Sequence, residues 1–246
     1  MKTVGIIGGI GPESTIEYYR LIIAAYRERQ SGTGVPPVND HEQDARATSY
    51  PSIIINSVDL TKLLAWIQAN ELEAFTDYLA GEIERLARAG ADFGALASNT
   101  PHLVFDELRR RSPIPLISIV ESTCDAAQKL GFRRVGLFGT RFTMQARFYF
   151  DAFARAGITI VVPHEDGQAY IHEKYMQELL NNVFLPETRQ RLLAIVEQMK
   201  ARDNIEALIL GGTELPLILR DTEHRGIPFL DTTKIHVERI VAELVS

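Results

Sequence analysis

Three residues with short polar side chains follow buried-type apolar segments and could hold a carboxylate. Asn99 and Thr100 come after the apolar segment 93–97, and Thr213 comes after the apolar segment 207–210. Where a strand ends and a helix begins, backbone N–H groups and hydroxyls can bind a carboxylate without a lysine. The same residue types are ordinary helix N-caps, so position alone leaves both interpretations open.

Several other side chains could carry a proton or form part of the site. Glu214 could donate a proton if it were desolvated, and a supporting role is the alternative. His102 could face a ligand or cap its helix, whereas His236 favours a structural role. The single cysteine, Cys124, falls inside a predicted helix, where we expect a small buried hydrophobic residue.

Composition and charge exclude several functional classes. The chain has 246 residues, of which 46% are hydrophobic and 24% charged, as in one large or two small globular domains. The net charge of −6 argues against a nucleic-acid or anionic-membrane surface. One cysteine excludes intrachain disulfides and multi-thiolate metal sites. No apolar run approaches the roughly 18 residues that cross a bilayer, and no signal peptide is visible, which predicts a cytoplasmic protein.

Motifs of common cofactor and nucleophile sites are missing. The glycine-rich segment 9–14 imitates a dinucleotide fingerprint but has Ser14 in place of its third glycine. The sequence contains neither the Gly-Lys-Ser/Thr of a P-loop nor a Gly-x-Ser-x-Gly nucleophile elbow. We therefore expect no cofactor and no metal.

Alternating strands and helices must position the candidate residues. Short apolar runs predict strands at 4–7, 53–55, 93–97, 116–120, 135–138, 158–162 and 207–210. Capped or amphipathic segments predict helices at 12–29, 72–88, 121–130, 146–156, 171–181, 186–202 and 233–245. This alternation predicts an α/β fold with parallel sheets covered by helices. Residues 31–52 predict a long surface loop, either a disordered insertion or an active-site lid.

Two pairs of segments suggest an internal duplication. Residues 3–9 resemble 134–140, and residues 91–100 resemble 205–214. Duplicated halves would form two lobes related by a pseudo-twofold axis, each presenting a strand-end loop to a shared cleft. The alternative is that buried strand-to-helix units simply look alike.

Five motifs, in order along the chain, resemble those of the aspartate/glutamate racemase superfamily, whose isomerases work without pyridoxal phosphate. They are GGIGPEST (8–15), NTPH (99–102), GTRFTM (139–144), GGTEL (211–215) and DTTKIH (231–236). The resemblance implies two pseudo-symmetric, Rossmann-like lobes with the site between them. We expect the first lobe to comprise residues 1–112 plus 214–246 and the second residues 113–213, and we expect a homodimer.

The chemistry of the resembled family requires two proton-transfer groups. Racemisation removes a proton from Cα and returns it on the opposite face, so acid/base groups must flank that carbon. The resemblance places a family cysteine at Ser98 and another at Gly212. Ser98 is a weak base unless it is activated, and Gly212 has no side chain. The catalytic positions implied are Ser98, Gly212 and Glu214.

The resemblance also implies a substrate-binding set, which comprises Ile10, Asn99, Thr100, Tyr170 and Thr213. Acidic-substrate racemases of the family can carry a lysine where this chain has Tyr170. A tyrosine cannot pair a side-chain carboxylate with a full charge, which argues against aspartate or glutamate as the substrate. Simple packing is the alternative role for Tyr170.

Three functions follow as hypotheses. The first is a cofactor-independent, racemase-like isomerase acting on a small carboxylate-bearing or amino-acid substrate. The second is another enzyme on the same scaffold, such as a decarboxylase, lyase or cis–trans isomerase, and the third is a ligand-binding protein without activity. Under the first hypothesis, cysteines at both Ser98 and Gly212 should create or raise racemase activity.

Overall fold

A computed structural model describes residues 2–9, 11–31 and 50–246 of the chain. Ile10, which the sequence analysis assigned to substrate binding, lies outside the described residues. So does most of the predicted 31–52 loop, and both interpretations of that loop stay predictions.

Strands and helices alternate along the described residues. The strands are β1 (Thr3–Gly8), β2 (Ser52–Ser57), β3 (Phe93–Leu96), β4 (Leu116–Ile117), β5 (Arg134–Gly139), β6 (Thr159–Val161), β7 (Ala207–Gly211), β8 (Glu223–His224) and β9 (Ile227–Asp231). The helices are α1 (Pro12–Ser31), α2 (Leu60–Gln68), α3 (Leu72–Arg88), α4 (Phe105–Arg111), α5 (Ile119–Lys129), α6 (Arg141–Gln145), α7 (Arg147–Arg155), α8 (Glu165–Gln177), α9 (Pro186–Asp203), α10 (Leu215–Ile218) and α11 (Thr232–Leu244). Short 3-10 helices span Thr100–Val104 and Leu179–Asn181.

The strands form two sheets. The first has the order β2-β1-β3-β4, and the second has the order β6-β5-β7-β9-β8. The pairs β1–β2, β3–β4, β5–β6, β5–β7 and β7–β9 are parallel, whereas β8 runs antiparallel to β9. The predicted α/β fold with parallel sheets is confirmed.

The chain divides into two compact units. The first contains residues 1–95, 108–117 and 237–246, and the second contains residues 96–107 and 118–236. This division differs from the predicted lobes, which assigned residues 214–246 to the first. The difference arises because β9 pairs with β7, so the chain remains in the second sheet until Asp231.

The second sheet has a core on each face. Strand β7 is buried throughout, and its side chains alternate between two apolar clusters. Leu208 and Leu210 belong to one cluster, with residues of α8 and α9, whereas Ala207 and Ile209 belong to the other, with residues of α5 and α7. This period of two is the geometry of a strand covered by helices on both sides.

Two predicted elements have different bounds in the structure. The predicted strand 116–120 ends at Ile117, because Ser118 caps α5 by accepting a hydrogen bond from the Glu121 N–H at 3.2 Å. The predicted helix 171–181 begins earlier, at Glu165. Its first turn contains Glu165 and Asp166, which suit the positive end of a helix.

Gly8 and Gly9 end β1 in a tight turn. The φ of Gly9 is +87°, and a Cβ added there would lie 2.5 Å from the backbone oxygen of Val58. The Gly9 N–H donates to Thr15 Oγ1 at 2.8 Å. Close packing and the left-handed backbone therefore both require glycine at position 9.

Candidate active site

The carboxyl ends of β5, β7 and β9 lie at one edge of the second sheet. The β5–β7 register ends with Gly139 opposite Gly211, and the β7–β9 register ends with Leu210 opposite Asp231. The segments that follow these strands therefore begin side by side. In open α/β sheets this is the edge at which ligands bind.

Asn99 joins the segment after β3 to this edge. Its Nδ2 donates to Thr232 Oγ1 at 3.2 Å, and the Thr232 hydroxyl donates to the backbone oxygen of Leu210 at 2.8 Å. The Tyr149 hydroxyl donates to Asn99 Oδ1 at 2.6 Å. The amide oxygen of Asn99 and one of its two amide N–H groups therefore both form hydrogen bonds within the protein.

Thr100 lies next to the end of β5. Its hydroxyl oxygen is 3.5 Å from Thr140 Oγ1, which caps α6 by accepting a hydrogen bond from the Thr143 N–H at 3.3 Å. Thr100 is partly exposed, unlike the buried residues Ser98 and Asn99. Through Asn99 and Thr100, the segment after β3 therefore contacts the starts of α11 and α6, which follow β9 and β5 at this edge.

His102 supports the backbone around Ser98. Its Nδ1 lies 3.1 Å from the Ser98 carbonyl oxygen, which only accepts, so Nδ1 carries the proton. The Ile119 N–H donates to Nε2 at 3.2 Å, so Nε2 is unprotonated. The ring also stacks on Phe105, with centroids 4.6 Å apart. Two backbone partners therefore fix a neutral tautomer, and this geometry favours a structural role for His102.

Gly212 faces a tyrosine that the sequence analysis did not identify. A Cβ built on Gly212 would lie 2.5 Å from Cε2 and 2.9 Å from the hydroxyl oxygen of Tyr175. Tyr175 lies in α8 and is only 6% exposed. No local pattern distinguishes Tyr175 from other core aromatic residues, so the sequence offered no signal for this contact.

Glu214 is a buried carboxyl group with hydrogen bonds at one oxygen. Its Oε2 accepts hydrogen bonds from the Tyr175 hydroxyl and, at 2.9 Å, from the Thr213 hydroxyl. Its Oε1 is buried and has no hydrogen-bond partner among the described residues. Burial raises the pKa of Glu214, and the two hydroxyl donors partly oppose that rise. Desolvation thus shifts Glu214, two residues after Gly212, toward its protonated form.

The phenol of Tyr175 is a strongly desolvated group. Burial raises its pKa well above the ordinary value, and the neighbouring Glu214 acts in the same direction. Tyr175 therefore remains a protonated hydrogen-bond donor across the physiological pH range.

Two predicted binding residues have other contacts in the structure. Thr213 is buried, and its hydroxyl donates to Glu214. Tyr170 is half-buried against the core of the second unit, with Lys174 Nζ 5.7 Å and the Arg191 guanidinium 6.0 Å from its ring centroid. These contacts support the packing interpretation of Tyr170.

Cys124 lies within α5 and His236 within α11, and both residues are buried. Cys124 is 6% exposed in the core around α5 and α7, and burial raises the pKa of its thiol. The expected role of Cys124 as a small buried residue is confirmed. His236 is fully buried in α11. Asp231 caps that helix by accepting a hydrogen bond from the Thr233 N–H at 3.0 Å.

None of the helices within the described ranges combines the length and the apolar character that a bilayer crossing requires.

Comparisons with known proteins agree on one family. The family model for Asp/Glu/Hydantoin racemase matches residues 7–240. The crystal structure of an aspartate racemase homologue from Pyrococcus horikoshii OT3 is 30% identical, covers all of both chains and has a TM-score of 0.78. The broad specificity amino-acid racemase RacX of Bacillus subtilis is 25% identical over 236 residues, which are 94% of this chain and 92% of that protein. An aspartate racemase from Picrophilus torridus, 21% identical with a TM-score of 0.76, shares the fold over all of this chain and 95% of its own.

Proposed function

Since the chain belongs to the Asp/Glu/Hydantoin racemase family, we propose that it is a cofactor-independent amino-acid isomerase that exchanges the proton at Cα of a small carboxylate-bearing substrate. One observation carries this proposal: a buried carboxyl group, Glu214, lies beside Gly212 with one oxygen unpartnered among the described residues. Glu214 then supplies the proton transfer that Gly212, without a side chain, cannot perform.

The hydrogen bonds of Glu214 decide where its proton resides. Two hydroxyl donors occupy Oε2, so the proton of the neutral acid belongs on Oε1. Burial stabilises this neutral form. A carboxylic acid held neutral by its surroundings can protonate a carbanion on one face, and as a carboxylate it can remove the same proton again.

Ser98 is our candidate for the proton-transfer group on the opposite face of the substrate. The bonds from Asn99 to Thr232 and from Thr232 to Leu210 hold the segment that contains Ser98 against the end of β7. That end leads directly into Gly212 and Glu214. The hydroxyl of Ser98 is a weak base, so this half of the reaction depends on activation by the bound substrate or by another group.

The candidate residues favour a substrate without a charged side chain. Thr100 is partly exposed, and Asn99 retains one amide N–H for a ligand. These groups suit the α-carboxylate that every amino acid carries. Tyr170 does not supply the positive charge that a second carboxylate would need. The broad specificity of the Bacillus subtilis relative RacX supports a search across neutral amino acids. A homodimer, which the resemblance implies, and a cytoplasmic location, which the sequence analysis predicts, belong to the same proposal.

Deuterium incorporation tests the proposed reaction directly. The protein is incubated in deuterated water with single L- and D-amino acids, and mass spectrometry and chiral chromatography follow the mass change and the enantiomer ratio. We expect deuterium at Cα of both enantiomers. Glu214→Gln should lower the exchange rate at least about a hundredfold, because an amide cannot deliver the proton.

The control is Glu238→Gln, which changes an exposed glutamate of α11 and should leave the rate unchanged. Carbon dioxide release would indicate decarboxylation instead. Substrate turnover without Cα exchange would contradict the racemase proposal.

A further inference from the structure

We propose that Tyr175 takes the place of the side chain that position 212 lacks, and that it acts as the positioning residue for Glu214. This inference rests on the proposed function, because it assigns the support of the same proton-transfer group.

The first argument concerns space. Gly212 is not among the residues with positive φ, so its backbone conformation does not require glycine. The ring and hydroxyl of Tyr175 occupy the volume into which a Cβ would project, with Cε2 at 2.5 Å and Cζ at 3.0 Å. Glycine at 212 is therefore a requirement of the tyrosine contact, in contrast to Gly9, where φ is +87°.

The second argument concerns the orientation of the carboxyl group. The Tyr175 hydroxyl and the Thr213 hydroxyl both donate to Oε2 of Glu214. A carboxylate oxygen has two lone pairs in the carboxyl plane, so this oxygen is satisfied. Tyr175 thus fixes which oxygen of Glu214 is left without a hydrogen-bond partner among the described residues.

The third argument concerns rigidity. Tyr175 belongs to the apolar cluster that includes Phe138, Ile171 and Leu210. Since protein interiors are close-packed, the ring cannot move away from Gly212 without disturbing these neighbours. The hydroxyl therefore stays beside Glu214, and cysteine at position 212 would displace the residue that supports Glu214. The cysteine experiment suggested by the sequence consequently needs a smaller residue at 175 as well.

Titration of Glu214 tests the positioning role without any substrate. The protein is labelled with 13C at glutamate carboxyl carbons, and the Glu214 resonance is assigned by its loss in Glu214→Gln. Tyr175→Phe keeps the ring but removes the hydroxyl that stabilises the charged carboxylate. We expect the Glu214 titration midpoint to rise by about one pH unit. Tyr19→Phe, an exposed change, should leave it unmoved.

The pH profile of Cα exchange gives the second measurement. If Tyr175 positions Glu214, the exchange profile of Tyr175→Phe shifts in the same direction as the titration midpoint. A uniform loss of rate with an unmoved profile, or an unmoved midpoint, would overturn the positioning role. Absence of Cα exchange in the unaltered protein would instead refute the proposed function, while the titration would still report on Tyr175.

Coupled substitutions test whether Tyr175 occupies the space that a side chain at position 212 would need. Gly212→Ala alone should lower the melting temperature, because its Cβ collides with the tyrosine ring. In the Tyr175→Leu background, Gly212→Ala should lower the melting temperature much less than it does in the presence of Tyr175. An equal fall in melting temperature in both backgrounds would show that a side chain at position 212 and the Tyr175 ring do not compete for the same space.

Discussion

Glu214 shows how the surroundings of one residue change its chemistry. The residue is 2% exposed, and its carboxyl group accepts two hydroxyl donors at Oε2 while Oε1 is buried without a described partner. An exposed glutamate is charged at neutral pH, whereas desolvation raises the pKa of this one. These surroundings shift Glu214 toward its protonated form, which is the form that the proposed reaction uses.

The raised pKa of Glu214 predicts a specific effect of pH on stability. Between the ordinary glutamate value of 4.5 and the raised value in the fold, the folded state retains a proton that the unfolded chain has lost. The free energy of unfolding should therefore fall as pH rises through this interval, by at most about 1.4 kcal/mol per pH unit. Urea unfolding of the unaltered chain and of Glu214→Gln, compared at each pH, isolates this contribution. A difference that grows with rising pH would contradict the assignment.

At the scale of elements, the site depends on hydrogen bonds between segments distant in the sequence. Asn99 follows β3, Tyr149 lies in α7, and Thr232 begins α11, yet the side chains of all three form one buried chain of hydrogen bonds that ends at the backbone of β7. This network fixes the segment that contains Ser98 at the sheet edge.

Asn99→Ala should destabilise the protein by about 1–3 kcal/mol, because the buried Tyr149 hydroxyl loses its acceptor. Chemical unfolding measures the loss. Gln190→Ala, which removes an exposed amide side chain of α9, serves as the matched control. In the Asn99→Ala/Tyr149→Phe double variant, removal of the stranded hydroxyl should recover part of the stability. An Asn99→Ala variant as stable as the control would show that the network contributes little.

The elements themselves were largely predictable. Long helices and the buried strands have strong periodic or continuous apolar patterns, and the structure confirms them with shifts at their ends. The short helices α2, α4, α6 and α10 and the β8–β9 hairpin were missed. A segment of four to nine residues carries too little periodicity to be identified without its tertiary neighbours.

At the scale of the whole molecule, the chain crosses between its two compact units several times. Residues 96–107 belong to the second unit, although β3, which leads into them, is a strand of the first sheet. This crossing gives the second unit the segment that carries Ser98, Asn99 and Thr100. The residues of the candidate site in this chain therefore come from both halves of the sequence, Ser98 to Thr100 from the first and Gly212 to Glu214 from the second.

The sequence alone determined the alternation of strands and helices, the family motifs, and the absence of thiols at Ser98 and Gly212, because each of these is a local pattern of residue types. Only the tertiary structure decided what occupies the space beside Gly212. Tyr175 and Glu214 are 39 positions apart, and their contact depends on how α8 packs against the sheet. Burial and hydrogen bonding at that contact are properties of packing, and they give Glu214 the chemistry on which the proposed reaction depends.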